Sequence, residues 1–142
     1  MTIEDIIETL AKTDTPDGRI DAFITCAFHL KGLRPAEPND FDGAYGYQPS
    51  SIKTEHGFLM AHSYTRDLNE ATALCQQIVP DGFWFLSRSP QAPVDLPPYS
   101  AMVKAADFEL LGSALSKNAA LALTLAALRA YVRLEEEKRK AA

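Results

Sequence analysis

The chain has 142 residues, 46% of them hydrophobic, and a net charge of -5, which suits one ordinary domain that buries a core without disulfides or metal. The acidic balance and a pI near 5.1 argue against a nucleic-acid binder, whose phosphate contacts need a basic patch. No apolar run reaches bilayer-spanning length and no charged n-region leads into an apolar h-region, so no membrane partner and a cytoplasmic location are expected.

The first helix is announced by Thr2, Ile3, Glu4 and Asp5, a capping box in which the Thr hydroxyl accepts a free amide and Asp5 reaches back. Ile3, Ile6, Ile7 and Leu10 then share one face up to about Lys12. Asp14, Thr15 and Pro16 break the chain, and Thr15 as cap with Pro16 at the first helical position predicts a second helix running to about Leu30. Its core face is Ile20, Phe23, Ile24, Ala27 and Phe28, and Gly32 with Pro35 ends it. Residues 1–33 thus form a helical N-terminal part.

Between Arg34 and Ser51, Pro35, Pro38, Gly43, Gly46 and Pro49 exclude regular helix, and the region 34–62 reads as irregular, with a short strand at Gly57 to Ala61. Phe41, Tyr45 and Tyr47 interleave with the glycines. Such rings either form an aromatic binding loop or tuck the loop onto the domain, and tucking is favoured.

Thr65 is expected to cap a third helix, Arg66 to Val79, whose face carries Leu68, Ala71, Cys75, Ile78 and Val79. Cys75 is central on that face, where burial raises a thiol's pKa and suits packing better than nucleophilic attack. Cys26 also lies in a helical pattern, and the two cysteines form no spaced framework, which fits a reducing compartment. The aromatic run at 83 to 87 is a strand, and Pro90, Pro93, Pro97 and Pro98 make a connector too short and broken to carry a crossover helix. A strand at 99 to 105 is therefore predicted to pair with it antiparallel, and Asp107 to Leu115 offers a third.

The chain ends in its strongest signal. Asn118 to Lys138 is built from helix formers with neither Gly nor Pro. Leu121, Leu125, Leu128 and Val132 make one apolar stripe; Leu123, Ala127, Ala130 and Leu134 make a second, nearly opposite. Two stripes need two packing partners: a sheet on one side, and on the other the N-terminal helices or a second copy. A homodimer through the C-terminal helix is the expectation. The closing Glu135 to Lys140 places acids ahead of bases, which suits a solvated helix end.

Residues 63 to 85 and 118 to 130 together resemble the small bacteriophage and prophage proteins of the phage ABA sandwich domain family. Tyr64, Thr65, Val79, Pro80, Asp81 and Gly82 match its helix-and-turn motif, with Phe83 at a Trp position and Trp84 next. Ala120, Leu121, Ala122 and Leu123 match the start of its last helix, where Asn118 stands for a capping Thr and Ala119 for a Pro. The resemblance covers about the C-terminal half. It implies a three-layer α/β/α sandwich with a small antiparallel sheet and a long C-terminal helix, within a single domain whose α-β-β-(β)-α core spans 63–140. It also implies phage or prophage ancestry, and it carries no catalytic residue.

No catalytic motif is found. Cys26 with His29, one turn apart and joined at most by His56 or His62, is too sparse to expect a metal, and no cofactor is expected. The nucleophile elbow, the phosphate loop, the dinucleotide fingerprint and the HisGluXaaXaaHis pair are all missing. The acids at Glu4-Asp5 and at Asp107 to Glu109 read as a helix start and an exposed strand. A non-enzymatic binding module is therefore favoured, acting on a phage or host protein or on a small molecule of host defence. The alternative is a small enzyme whose pocket is lined by His56, His62 and the Tyr45 to Tyr47 loop, with Phe41 beside it.

Overall fold

The computed structural model describes all residues except 42–45, 91, 92 and 95. Helix α1 (Ile3–Ala11) opens on the expected capping box: the Asp5 amide donates to Thr2 Oγ1 at 3.1 Å and the Thr2 amide to Asp5 Oδ2 at 2.9 Å. Helices α2 (Gly18–Phe28) and α3 (Leu68–Ile78) start two residues later than Thr15 and Thr65 predict. In each, an aspartate takes the first free amides. Asp17 accepts from Arg19 and Ile20, and Asp67 from Asn69; a carboxylate forms stronger, charge-assisted bonds there than a hydroxyl.

Within the irregular segment 34–62 the predicted strand at Gly57 to Ala61 is observed, at Phe58–Met60, and two further short strands join it. Strands β1 (Arg34–Pro35), β2 (Ser51–Lys53) and β3 (Phe58–Met60) form an antiparallel sheet A in that order. The two unpredicted strands, β1 and β2, are too short at two and three residues to show a period-two pattern. Sheet A sits on α2 through a minor core of Ala22, Cys26 and Ile52.

Sheet B holds β4 (Phe83–Arg88), β5 (Tyr99–Lys104) and β6 (Leu110–Ser116) in sequence order. The predicted antiparallel pairing is observed, with Phe83 opposite Lys104 and Arg88 opposite Tyr99. Residues directly opposite share a face, so Trp84, Leu86, Ala101, Val103, Gly112 and Ala114 point to one side. Phe85, Met102, Ser113 and Leu115 point to the other.

Helix α4 (Ala119–Ala141) packs on the first of these faces. Its contact is close because the meeting residues are small. A Cβ on Gly112 would collide with the Ala126 carbonyl oxygen and stand 2.7 Å from the Ala130 nitrogen. The class is the expected one, mixed α and β, with small antiparallel sheets and a long C-terminal helix. Within it α4 is the middle layer, since α1 and α3 cover its other side. Among the described residues no helix packs on the far face of sheet B.

That arrangement corrects the interface expected on α4. Leu123 is 1% exposed, and Ala127 and Ala130 are buried as well, so helices of the same chain occupy the stripe that a second copy was expected to cover. Leu123→Ala should cost about 2–5 kcal/mol, the range for emptying a core leucine site, read as a lowered denaturant midpoint. Gly112→Ala should destabilise at least as clearly, because neither backbone can retreat from the added methyl.

Candidate functional site

Three places gather chemistry-bearing groups. The first lies over sheet A. Phe41 stacks on Phe58 with ring centres 4.4 Å apart and meets Tyr47 edge-on at 5.8 Å. The Tyr47 hydroxyl accepts from Arg19 Nη1 at 3.0 Å, and the other arm of that guanidinium pairs with Glu37 at 2.8 Å. The two bonds raise the Arg19 pKa above its ordinary value, with Glu37 the larger cause. Phe41 and Tyr47 therefore already have partners within the chain. Tyr45 lies outside the described residues.

The second is a histidine and tyrosine cluster between α2 and α3. His29 Nε2 and the buried Tyr64 hydroxyl are 2.9 Å apart. The His62 ring lies 5.2 Å from that of His29, and its Nδ1 is 3.1 Å from Glu70 Oε2. Desolvation lowers the His29 pKa, the charge of His62 adds to this, and Glu70 opposes it. Desolvation likewise raises that of the Tyr64 phenol, which suits a neutral hydroxyl in a hydrogen bond. His56 is elsewhere, exposed in the β2–β3 turn beside Glu55. The structure thus brings His62 to His29 and not to His56. The partner that sequence reasoning missed is Tyr64: spacing within one helix cannot reveal a contact between residues 35 positions apart. The surface depressions described contain neither histidine nor cysteine, and no group of three or more metal-ligating side chains occurs among the described residues.

Beneath this cluster is a buried clamp. Asp21 accepts from the Thr65 amide at 2.8 Å and from its hydroxyl at 3.0 Å, while Thr65 Oγ1 accepts from the Asp17 amide at 2.9 Å. Burial pushes the Asp21 pKa from 3.8 up to about 6 against the pull of the Thr65 donors. Cys75 is buried in the main core, where desolvation takes its thiol to about 12, so it acts as a packing residue.

Comparison with protein-family models, curated proteins and solved structures gives no match to this chain.

The third place is the far face of sheet B. Phe85 is 41% exposed there and Leu115 63%, with half-buried Met102 between them on the central strand. Phe108 sits in the β5–β6 turn at φ 68, a left-handed conformation unfavourable for a bulky residue. Its ring stacks on Phe83 at 4.6 Å, and Lys104 Nζ lies 5.6 Å from the Phe85 ring centre. No described helix of the chain aligns as a membrane span: none is long and apolar enough to cross one.

The Asp21 clamp sets a pH dependence. The folded chain keeps the Asp21 proton up to about pH 6, whereas an unfolded aspartate loses it near 3.8. This group's contribution to stability is thus fully present below the unfolded value and is lost as pH rises through 6. Asp21→Asn should remove that loss. Its melting temperature relative to the parent should climb between pH 4 and pH 7 by the equivalent of about 2 kcal/mol; a pH-independent difference would refute the assignment.

Proposed function

We propose that this chain is a non-enzymatic interaction module of phage or prophage origin that engages a protein partner through the far face of sheet B. The carrying observation is that face: aromatic and aliphatic side chains of β4 and β6 stand exposed on it with half-buried Met102 of β5 between them, although the same chain covers both sides of its longest helix. Isolated exposed apolar residues are ordinary, but a contiguous patch on a monomer usually marks an interaction surface. The strained Phe108 backbone supports the same reading, since it holds a ring against Phe83 on that face and adds nothing to the core. A fitting partner offers an apolar surface with an acidic group set against Lys104. The phage or prophage ancestry rests on the family resemblance of residues 63–85 and 118–130.

The reading is one of binding because the acid and base groups that do meet, at His29, His62, Glu70 and Tyr64, line none of the surface depressions described. His56 and His62 occupy separate elements, both thiols are buried, and the His29–Tyr64 pair closes on itself with a hydrogen bond. A lysine at position 102 would place a charge at the centre of the patch without disturbing the ladder. Proteins captured from host lysate by the parent chain should be lost with Met102→Lys and kept with His56→Ala. Crosslinks to the captured partner should map to β4, β5 and β6. An unchanged capture by Met102→Lys, or a metabolite bound elsewhere as the sole ligand, would overturn the proposal.

A further inference from the structure

The two edges of sheet B are built differently. In the ladder between β4 and β5, the Ser89 amide donates to the Pro98 carbonyl at 2.8 Å. Antiparallel pairs alternate between bonded and non-bonded, so Phe83, Phe85 and Ser87 turn their backbone groups toward β5. Trp84, Leu86 and Arg88 turn theirs outward. By the same alternation Ser113 and Leu115 face outward from β6, and past the bulge beside Lys104 so does Leu110; there the edge is partly occupied. Arg129 donates to the Ser113 carbonyl at 2.7 Å and Arg133 to the Leu110 carbonyl at 2.6 Å, while Arg133 also pairs with Glu109. Among the described residues nothing bonds the outward groups of β4.

That open strand is also the most apolar one. Residues 83 to 86 carry no charge, proline or bulge, which are the usual protections of a free edge. Trp84, on the helix side, is 36% exposed, while Phe83 and Phe85 are exposed on the far side. Both faces of β4 are therefore partly uncovered, as well as its edge; on the helix side only Leu86 packs against the core.

We infer that β4 pairs with β4 of a second copy, antiparallel about a two-fold axis at Phe85, to make one six-stranded sheet. In this register Trp84 of each chain stands opposite Leu86 of the other, and their outward amides and carbonyls bond reciprocally. On the helix side the two indoles and two Leu86 side chains cover one another; on the far side the Phe85 rings meet at the axis. The ends are charge-complementary. Asp81 precedes the strand and Arg88 finishes it, so an antiparallel copy sets each arginine near the other chain's aspartate, whereas a parallel copy would set like beside like. Because the two-fold pairing uses β4 of both chains, it closes at two chains instead of extending into a filament, and Arg129 and Arg133 occupy two carbonyls of the other edge. This goes beyond the face-docking proposal, because edge pairing uses backbone groups that the face does not.

The test uses the full chain across low to high micromolar concentration, by light scattering after size exclusion and by residue-resolved amide exchange. A two-chain mass should appear as concentration rises, together with slowed exchange at Trp84, Leu86 and Arg88, the outward amides. Emission from Trp84, the single tryptophan, should shift to the blue in step. Trp84→Lys, with far-UV dichroism confirming its fold, should weaken self-association about tenfold or more. Met102→Lys should leave self-association unchanged while abolishing heterologous capture, so the two proposals fail separately. A monomer at all concentrations would overturn the pairing, as would a dimer whose exchange at residues 84, 86 and 88 does not slow.

Discussion

Helix α4 has no solvent side over its first three turns, and the placement of every other large element follows from covering it. Residues 120 to 128 are buried without interruption, which demands apolar partners all round. The sheet takes one side at very short range, possible because Gly112 faces Ala126 and Ala130. Helices α1 and α3 take the other. The single polar side chain in the stretch, Thr124, is satisfied by donating to the Tyr64 carbonyl at 2.8 Å. That bond ties the α4 layer to the segment leading into α3, so the helix is pinned in register as well as buried.

A second constraint joins the N-terminal helices to that assembly. The segment at Tyr64 and Thr65 lies against α2, and its free amide and hydroxyl must bond once buried. Asp21 supplies both acceptors, and no buried side-chain polar atom is left unpartnered among the described residues. The same contact opposes α2 at neutral pH, since it holds a carboxylate in apolar surroundings. Geometric definition and an electrostatic penalty come from one residue, and the penalty is bearable because two donors from Thr65 offset part of it.

What could be read from the sequence tracks the length over which a pattern repeats. The two stripes of α4, the face of α1 and the pairing of β4 with β5 all rest on several periods of signal or on a connector whose prolines exclude a crossover. By contrast α2 also buries Ala22 and Cys26 against sheet A, and α3 buries Leu74 while Leu68 is exposed. In sheet A only β3 is announced, by the breakers around Gly57 to Ala61; β1 and β2, at two and three residues, carry no comparable signal. Caps were misplaced by two residues because Thr15 and Thr65 compete with nearby aspartates that stand closer to the free amides. The histidine cluster is half visible: spacing offers His29 with His62 as a companion, but the place of Tyr64 beside them arises from the packing of α2 against the approach to α3. The open face of sheet B was hidden for a different reason. Alternation in β5 shows that two faces exist, and only the placement of α4 shows which one is left bare.

The size of a single helix explains why one strand of sheet B stands apart. A helix with its side chains is about 10–12 Å across, and neighbouring strands are spaced about 4.8 Å, so one helix laid along a sheet covers about two strands. The close approach at Gly112 fixes α4 beneath β6 and β5, where Arg129 and Arg133 also reach round to the β6 carbonyls. Strand β4 then lies at the limit of the helix's reach, which leaves Trp84 partly exposed even though it points to the helix side. Moving α4 toward β4 would require a side chain at position 112 to fill the gap and would strand the β6 edge. The choice that makes the core tight on one side of the sheet therefore leaves the other edge open, and an aromatic strand in that position gains its missing cover from outside the chain.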